Sequence, residues 1–282
     1  MRYCALLIMS LFLVMPGSAL AVDKEAVKAE PMPVEKTSCY YRFEGFALTS
    51  LDQQRHYQIV ISIPKAPIPE QGYPVLYMLD GNAALAALNE QDFSRLKGGD
   101  WPVIVTLGYQ HNAQPARAYD YTPTAKSAQY GGAEAFWQFV EQEVKPRVAK
   151  RIQLDAGRQS LWGHSFGGLF VLHTLFNHPE SFQSYIAVDP SLWWQQGQIL
   201  NDEASYKQRK QRPNGHVLIQ RSASHREGST LPEDATRRLA KRLSQLPELT
   251  VQYYDYFQHH HGSVRAASIP SALRMAQGIE QQ

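Results

Sequence analysis

The chain has 282 residues, of which 44% are hydrophobic, and a formal net charge of +2 at pH 7. This length and apolar content suit one large α/β domain better than two small ones. The small net charge excludes an extended basic surface, so we expect no nucleic-acid partner.

Residues 1–21 have the layout of a secretory signal peptide. Arg2 gives a positive start, residues 3–15 form an almost unbroken apolar run, and small residues precede Val22. The run is shorter than the roughly 20 residues that a membrane-spanning helix needs. We therefore predict cleavage after Ala21, a periplasmic location and no stable insertion in a membrane.

The rest of the chain is predicted to be a short leader followed by one domain. Residues 22–36 are rich in Ala, Glu, Lys and Pro, which is typical of a flexible leader, and residues 37–282 form the domain. Cys39 is the one cysteine after the predicted cleavage site, so the mature chain cannot form an internal disulfide.

Apolar runs bounded by turn residues predict buried strands, and apolar residues at helical spacing predict helices between them. The predicted strands are residues 40–48, 53–63, 73–79, 101–107, 160–162, 184–188, 216–219 and 251–257. The predicted helices are residues 83–96, 133–148, 169–176, 231–243 and 269 onward. This alternation predicts an α/β fold with a mostly parallel central sheet covered by helices on both faces.

Residues 163–168 read GHSFGG and fit the pattern G-x-S-x-G. An apolar strand precedes the pattern and a helix follows it, as in a sharp strand-to-helix turn that exposes a nucleophilic serine. A serine hydroxyl needs a base to become reactive, and the first amides of the helix can stabilise a developing oxyanion. We predict Ser165 as the nucleophile and the amide of Phe166 as one oxyanion donor.

The base is expected late in the chain, after the last strand. His259, His260 and His261 all follow that strand, and we choose His261 because Gly262 and the next residue allow a sharp turn. Three adjacent histidines make a poor single chelate because their side chains diverge, and no accompanying Cys or HExxH motif occurs. We therefore expect no bound metal and no cofactor.

The acid is expected after the strand at residues 216–219. Glu227, in a polar loop, is the candidate that we choose, with Asp234 and Asp255 as alternatives. Each of these carboxylates could equally lie at the surface or cap a helix. Water or a backbone carbonyl can partly replace the acid, so a Ser165–His261 dyad without a carboxylate stays open.

Five segments occur in an order that belongs to a known family. They are residues 75–83 (VLYMLDGNA), 117–123 (RAYDYTP), 163–168 (GHSFGG), 189–194 (DPSLWW) and 261–263 (HGS). From residue 40 to the C-terminus the chain resembles the siderophore esterases that hydrolyse enterobactin-like catecholate trilactones, most closely the periplasmic ones. The resemblance implies an α/β-hydrolase fold.

The resemblance also implies roles for individual residues. Ser165 and His261 would be the catalytic pair, and an amide near Gly81 or Asn82 would be the second oxyanion donor. Arg117 would face the substrate.

A ferric catecholate substrate is anionic and aromatic, so its binding site needs cations and flat apolar side chains. Arg117, Arg221, Trp193 and Trp194 are the candidates, although the two tryptophans could instead pack in the core. We expect hydrolysis of the ester backbone of a catecholate siderophore such as ferric enterobactin, which would release iron in the periplasm. Transient contact with the siderophore uptake machinery would accompany this role. The alternatives are a general exported carboxylesterase and a siderophore-binding protein without turnover.

Overall fold

The computed structural model describes residues 30–96, 98–110, 113–123, 127–224 and 229–278. Within these residues a nine-stranded sheet forms the centre of the molecule. Its strands are β1 (Glu30–Met32), β2 (Tyr41–Thr49), β3 (His56–Pro64), β4 (Tyr73–Met78), β5 (Val103–Tyr109), β6 (Leu154–His164), β7 (Ser184–Val188), β8 (Gly215–Ser222) and β9 (Leu249–Tyr256).

The strand order is β1-β2-β3-β5-β4-β6-β7-β8-β9. The six strands from β5 to β9 in that order pair in parallel, whereas β1, β2 and β3 pair with their neighbours in antiparallel fashion. The predicted mostly parallel α/β sheet is therefore confirmed.

Helices connect the strands in the described part of the chain. They are α1 (Gly81–Ala87), α2 (Glu90–Ser94), α3 (Ala113–Asp120), α4 (Ala133–Phe139), a π-helical turn (Val140–Val144), α5 (Lys145–Ala149), α6 (Phe166–Asn177), a 3-10 turn (Trp194–Gly197), α7 (Ile199–Lys207), α8 (Ala235–Leu243), α9 (His261–Ala267) and α10 (Ile269–Ala276). No helix within the described ranges is both long and apolar enough to cross a membrane.

Both faces of the sheet are buried under helices, as β4 shows. Tyr73, Val75 and Tyr77 pack into a core that includes residues of α4, α6, α7 and α8. Leu76 and Met78 point to the other face and pack with residues of α1, α2, α9 and α10. A strand buried on both faces needs apolar residues at every position, which explains the continuous apolar run.

The start of the domain differs from the predicted leader. Glu30–Met32 pairs with β2 as an antiparallel edge strand, and the Lys36 ammonium donates a hydrogen bond to the carbonyl of Leu88 at 2.9 Å. These contacts attach residues that composition alone had placed in a flexible leader. Residues 1–29, including the predicted signal peptide, lie outside the described residues.

Two predicted helices have different boundaries in the structure. The helix predicted for residues 83–96 is divided into α1 and α2, because the side chain of Asn89 accepts a hydrogen bond from the amide of Asp92 and begins a new helix. The helix predicted from Leu231 begins only at Ala235, after Pro232.

Candidate active site

Ser165 lies in the sharp turn between β6 and α6. Its backbone has φ 61° and ψ −118°, a strained conformation for a residue with a side chain. The turn is tight enough that a Cβ atom on Gly163 would come within 2.4 Å of the carbonyl oxygen of Gly167. Position 163 therefore has no room for a side chain, which explains the glycine. The strand and the helix together hold the serine in place.

His261 is the first residue of α9 and faces the serine. Its Nε2 lies 3.0 Å from Oγ of Ser165, and its backbone amide donates to Oγ of Ser224 at 2.9 Å. The neighbouring His260 caps α9 by accepting a hydrogen bond from the amide of Gly262. The structure thus brings together the two residues that the sequence paired, and it assigns a helix-capping position to His260.

His164, just before the serine, fixes the backbone that carries His261. Its Nε2 lies 2.7 Å from the carbonyl oxygen of His261. Burial and then the nearby His261 ring lower the pKa of His164 to about 3. A neutral ring whose Nε2 carries the proton can donate this hydrogen bond at any pH well above that value.

The carboxylate that contacts His261 comes from Asp189, directly after β7. Its Oδ2 lies 2.6 Å from Nδ1 of His261 and accepts a hydrogen bond from the hydroxyl of Ser222, while its Oδ1 accepts one from the amide of Ser222. Burial alone would raise the pKa of Asp189. The hydrogen bonds from His261 and Ser222 outweigh burial, so the pKa lies below its ordinary value and the carboxylate is charged at neutral pH.

The expectation that the acid follows β8 does not agree with this geometry. Asp234 lies at the start of α8 and pairs with Arg238 at 2.7 Å, whereas Asp255 pairs with Arg237. Glu227 lies outside the described residues.

Asp189 was not predicted as the acid from the sequence, although it lies within the segment DPSLWW. The signal was its position directly after a buried strand. Because β6 and β7 are parallel neighbours, their carboxyl ends lie at the same edge of the sheet, beside Ser165.

The segment after β7 also contacts the serine itself. The amide of Ser191 donates to the carbonyl of Ser165 at 3.1 Å, and the two hydroxyl oxygens lie 3.3 Å apart. One short loop therefore provides the carboxylate and supports the turn that carries the hydroxyl.

The amides expected as oxyanion donors lie at the starts of two helices. Phe166 is the first residue of α6 and Gly81 the first of α1, so neither amide has an acceptor within its own helix. Asp80 lies between the start of α1 and the start of α6. Its Oδ2 would be 3.6 Å from the Cβ atom of an alanine placed at Gly167. The side chain of Asn82 is already bonded to the backbone of Tyr109, which leaves only its amide for such a role.

Arg117 does not face the cleft as expected. Its guanidinium makes a two-point ion pair with Asp80, with Nη2 2.9 Å from Oδ2, and also donates to the carbonyl of His164 at 3.1 Å. Burial would lower its pKa, but the hydrogen bond and charge of Asp80 raise it. The side chain is 16% exposed, so it connects the Asp80 turn to the Ser165 turn from inside the protein.

A cleft of about 380 Å³ opens beside the Ser165 hydroxyl. Trp193, Arg221 and Leu231 line it together with Ser165 and His261. The guanidinium of Arg221 lies 3.4 Å from the exposed carboxylate of Glu233.

The two neighbouring tryptophans have different environments. Trp193 lines the cleft. Trp194 packs edge-on against Phe166 at 5.2 Å and lies 4.7 Å from the ring of Tyr130, so it is a half-buried residue that packs against the core.

Ser165, His261 and Asp189 form a hydrogen-bonded chain that can transfer a proton away from the serine hydroxyl. His164, Asp189 and His261 also offer potential metal ligand atoms within 4.8 Å of one another. All three residues already make hydrogen bonds within this group, so proton transfer is the chemistry that the arrangement supports.

A family model described as “Putative esterase” matches residues 50–268. The chain belongs to this esterase family. Among relatives in the esterase family, ferri-bacillibactin esterase BesA of Bacillus subtilis is 35% identical over 253 residues, which cover 81% of this chain and 87% of the relative. Apo-salmochelin esterase of Escherichia coli is 39% identical over 176 residues, covering 57% and 55%.

Solved structures of esterase-family proteins share the fold. The BES protein from Bacillus cereus has a TM-score of 0.74 and 31% identity, covering 86% of this chain and 99% of that one. The enterobactin hydrolase IroE in complex with DFP has a TM-score of 0.72 and 31% identity, covering 86% and 97%. The prediction that this esterase-family chain is a serine hydrolase is confirmed.

Proposed function

We propose that the chain hydrolyses the ester backbone of a catecholate siderophore, with Ser165, His261 and Asp189 as the catalytic residues. The observation that carries the proposal is the hydrogen-bonded chain of these three side chains in a protein 35% identical to a siderophore esterase. His261 accepts the proton of the serine hydroxyl, and Asp189 holds the proton on the other ring nitrogen.

The reaction has two halves. The oxygen of Ser165 attacks the ester carbonyl, and the amides of Phe166 and Gly81 stabilise the oxyanion. Collapse of this intermediate breaks the ester bond, and the leaving alkoxide takes the proton from His261. Water, deprotonated by His261, then hydrolyses the acyl-enzyme and restores the serine.

The cleft supports a substrate that is both aromatic and anionic. Trp193 offers an apolar ring face, and Arg221 offers a cation that can stack on a catechol or pair with its oxygens. One ion-pair partner, Glu233, has a side chain that is 71% exposed and can give way to a substrate contact, while the carboxylate of Asp255, 3.9 Å away, stays beside the guanidinium. The cleft volume lies near the lower end for ligand pockets, so one arm of a three-armed substrate fits while the others stay outside.

A comparison of ferric and iron-free enterobactin tests the substrate. Each is incubated with wild type and with Ser165→Ala, and the products are separated and identified by mass spectrometry. We expect linear trimer and smaller fragments from wild type only. Short-chain acyl esters with a higher kcat/KM than either trilactone would favour a general carboxylesterase. Tight siderophore binding by both proteins without hydrolysis would favour a binding protein.

The proposal includes action in the periplasm and transient contact with the uptake machinery, motivated by the signal-peptide pattern of residues 1–21. Cell fractionation and N-terminal sequencing test the location. A mature chain that begins at Val22 in the periplasmic fraction is expected, whereas an uncleaved chain in the cytoplasm would contradict it.

A further inference from the structure

Three potential metal ligands meet on the side of the sheet that α4 and α6 cover. Glu134 lies in the first turn of α4, His173 in α6, and His178 directly after α6. Ligand atoms of the three side chains lie within 4.8 Å of one another. His173 is eight residues after Ser165, about 12 Å along the helix, so the group is separate from the active site.

The distances within the group are close to those of a metal site. Oε2 of Glu134 lies 2.8 Å from Nε2 of His178 and 3.9 Å from Nε2 of His173. Four-coordinate zinc with bonds of about 2.0–2.1 Å places its ligand atoms about 3.4 Å apart. Small rotations of the side chains would bring both distances to that value.

A second observation points to a missing ligand. The side chain of His173 is only 10% exposed, and its Nε2 is buried without a hydrogen-bond partner among the described residues. Most buried polar atoms in proteins have a partner, so each exception needs a physical cause. The nitrogen faces the carboxylate of Glu134 at 3.9 Å, where a bound ion would complete its coordination.

The surroundings would orient both imidazoles. Oδ2 of Asp202 lies 3.8 Å from Nδ1 of His173, and metal-bound histidines usually donate their second ring N–H to such a carboxylate. In the present arrangement Nδ2 of Asn177 donates to this Nδ1 at 3.1 Å, so metal binding through Nε2 requires the ring proton to move to Nδ1 and Asn177 to release this contact. The ring of His178 is stacked on Trp137 at 3.4 Å with an interplanar angle of 7°.

We propose that Glu134, His173 and His178 bind a divalent transition-metal ion of the Zn²⁺ type, with water in the fourth position. Two imidazoles and one carboxylate favour such ions over Mg²⁺ or Ca²⁺, which prefer oxygen ligands. The Glu134 side chain is 53% exposed and gives the ion a path from solvent. Bound metal would connect the start of α4 to the end of the helix that begins after Ser165.

Zinc titration of untagged, metal-free protein tests the site. Calorimetry compares wild type with Glu134→Gln and His178→Gln, and His216→Gln, an exposed histidine on β8, is the matched control. We expect one Zn²⁺ bound per chain by wild type and by the control, with at least tenfold weaker affinity in both site variants. Equal affinity in all four proteins, or no binding by wild type, would overturn the proposal.

Two further measurements distinguish an ion at Glu134, His173 and His178 from an ion in the active site and from a simple ion pair. Cu²⁺ bound at this site should quench the fluorescence of Trp137. The loss of fluorescence should therefore be larger in wild type than in Trp137→Phe, and it should persist in His261→Ala. Loss of quenching in His261→Ala would place the ion in the active site instead.

Because Glu134 and His178 could form only an ion pair, melting temperatures are compared in EDTA and in Zn²⁺. A melting temperature that Zn²⁺ does not raise in wild type would contradict a metal site, and circular dichroism verifies that each variant folds.

Discussion

The carboxylate of Asp189 and Nδ1 of His261, 72 positions apart in the chain, are joined by a 2.6 Å hydrogen bond. The carboxylate follows β7 and the imidazole begins α9, so the bond forms only when the sheet and the C-terminal helices are assembled. It holds the imidazole so that Nε2 faces the hydroxyl of Ser165.

Replacement of Asp189 by Asn should lower kcat by about two to four orders of magnitude, because the amide favours the wrong imidazole tautomer. Ester hydrolysis at saturating substrate measures the effect. Asp234→Asn is the matched control, since its carboxylate pairs with Arg238 at the surface, and we expect less than a twofold change. Near wild-type activity of Asp189→Asn, with a large loss in Glu227→Gln, would return the acid to the loop after β8.

Gly163 and Gly157 lie on the same strand, which allows a comparison of one added methyl group at two positions. Gly163→Ala would place Cβ 2.4 Å from a backbone carbonyl oxygen, so the Ser165 turn must shift. We expect at least a hundredfold loss in kcat/KM and a lower melting temperature. In Gly157→Ala the new Cβ atom would contact only the carboxylate of Asp155, at 3.2 Å. The kcat/KM and the melting temperature of this variant should therefore stay near those of wild type. Equal effects of the two substitutions would contradict the steric argument.

Removal of the Arg117 guanidinium should be strongly destabilising. Arg117→Met leaves the largely buried carboxylate of Asp80 unpaired and removes a donor from the carbonyl of His164, for a loss of about 3 kcal/mol in the free energy of unfolding. Urea unfolding measures this. Arg238→Met breaks an exposed ion pair and should cost below about 1 kcal/mol. A comparable small loss in both variants would show that the Asp80–Arg117 pair contributes little.

His164 should make stability depend on pH. Its folded-state pKa is about 3, against 6.5 ordinarily, so below pH 6.5 the unfolded chain binds a proton that the folded chain does not. The free energy of unfolding should therefore decrease as pH falls from 6.5 toward 3, with up to about 1.4 kcal/mol per pH unit from this residue. Urea unfolding of wild type, His164→Gln and the exposed control His216→Gln at pH 7, 6 and 5 isolates the contribution. The slope should be smaller in His164→Gln alone, and identical slopes would disprove the assignment.

Substitution of Trp193 should mainly weaken substrate binding, whereas substitution of Trp194 should mainly lower the stability of the fold. Trp193→Ala removes an aromatic face from the cleft, and we expect KM for an aromatic siderophore to rise about fivefold, equivalent to about 1 kcal/mol, with little change in stability. Trp194→Ala removes packing against Phe166 and should lower the free energy of unfolding by about 2 kcal/mol. Steady-state kinetics and urea unfolding of both variants test this, and a reversed pattern would contradict the assignment of Trp193 to the cleft.

Patterns confined to neighbouring residues predicted much of this molecule. The β7 bounds, the turn at Ser165 and the choice of His261 all follow from apolar runs and glycine positions near each residue. Asp189 was not predicted as the acid, because its position beside the catalytic residues depends on β7 lying next to β6 in the sheet, and local sequence patterns do not reveal that order. The inward direction of Arg117 was missed for a similar reason, since Asp80 reaches it only across the assembled fold.

The position of the acid has a consequence for how such enzymes diversify. Leu231, Pro232 and Glu233, shortly before α8, line part of the cleft, whereas the carboxylate that orients His261 is held by the turn after β7. Substitutions at these three positions can therefore alter which molecules enter the cleft without moving the proton-transfer chain, unlike changes at Ser224, which accepts a hydrogen bond from the amide of His261. Natural variation and directed evolution of substrate preference should concentrate there.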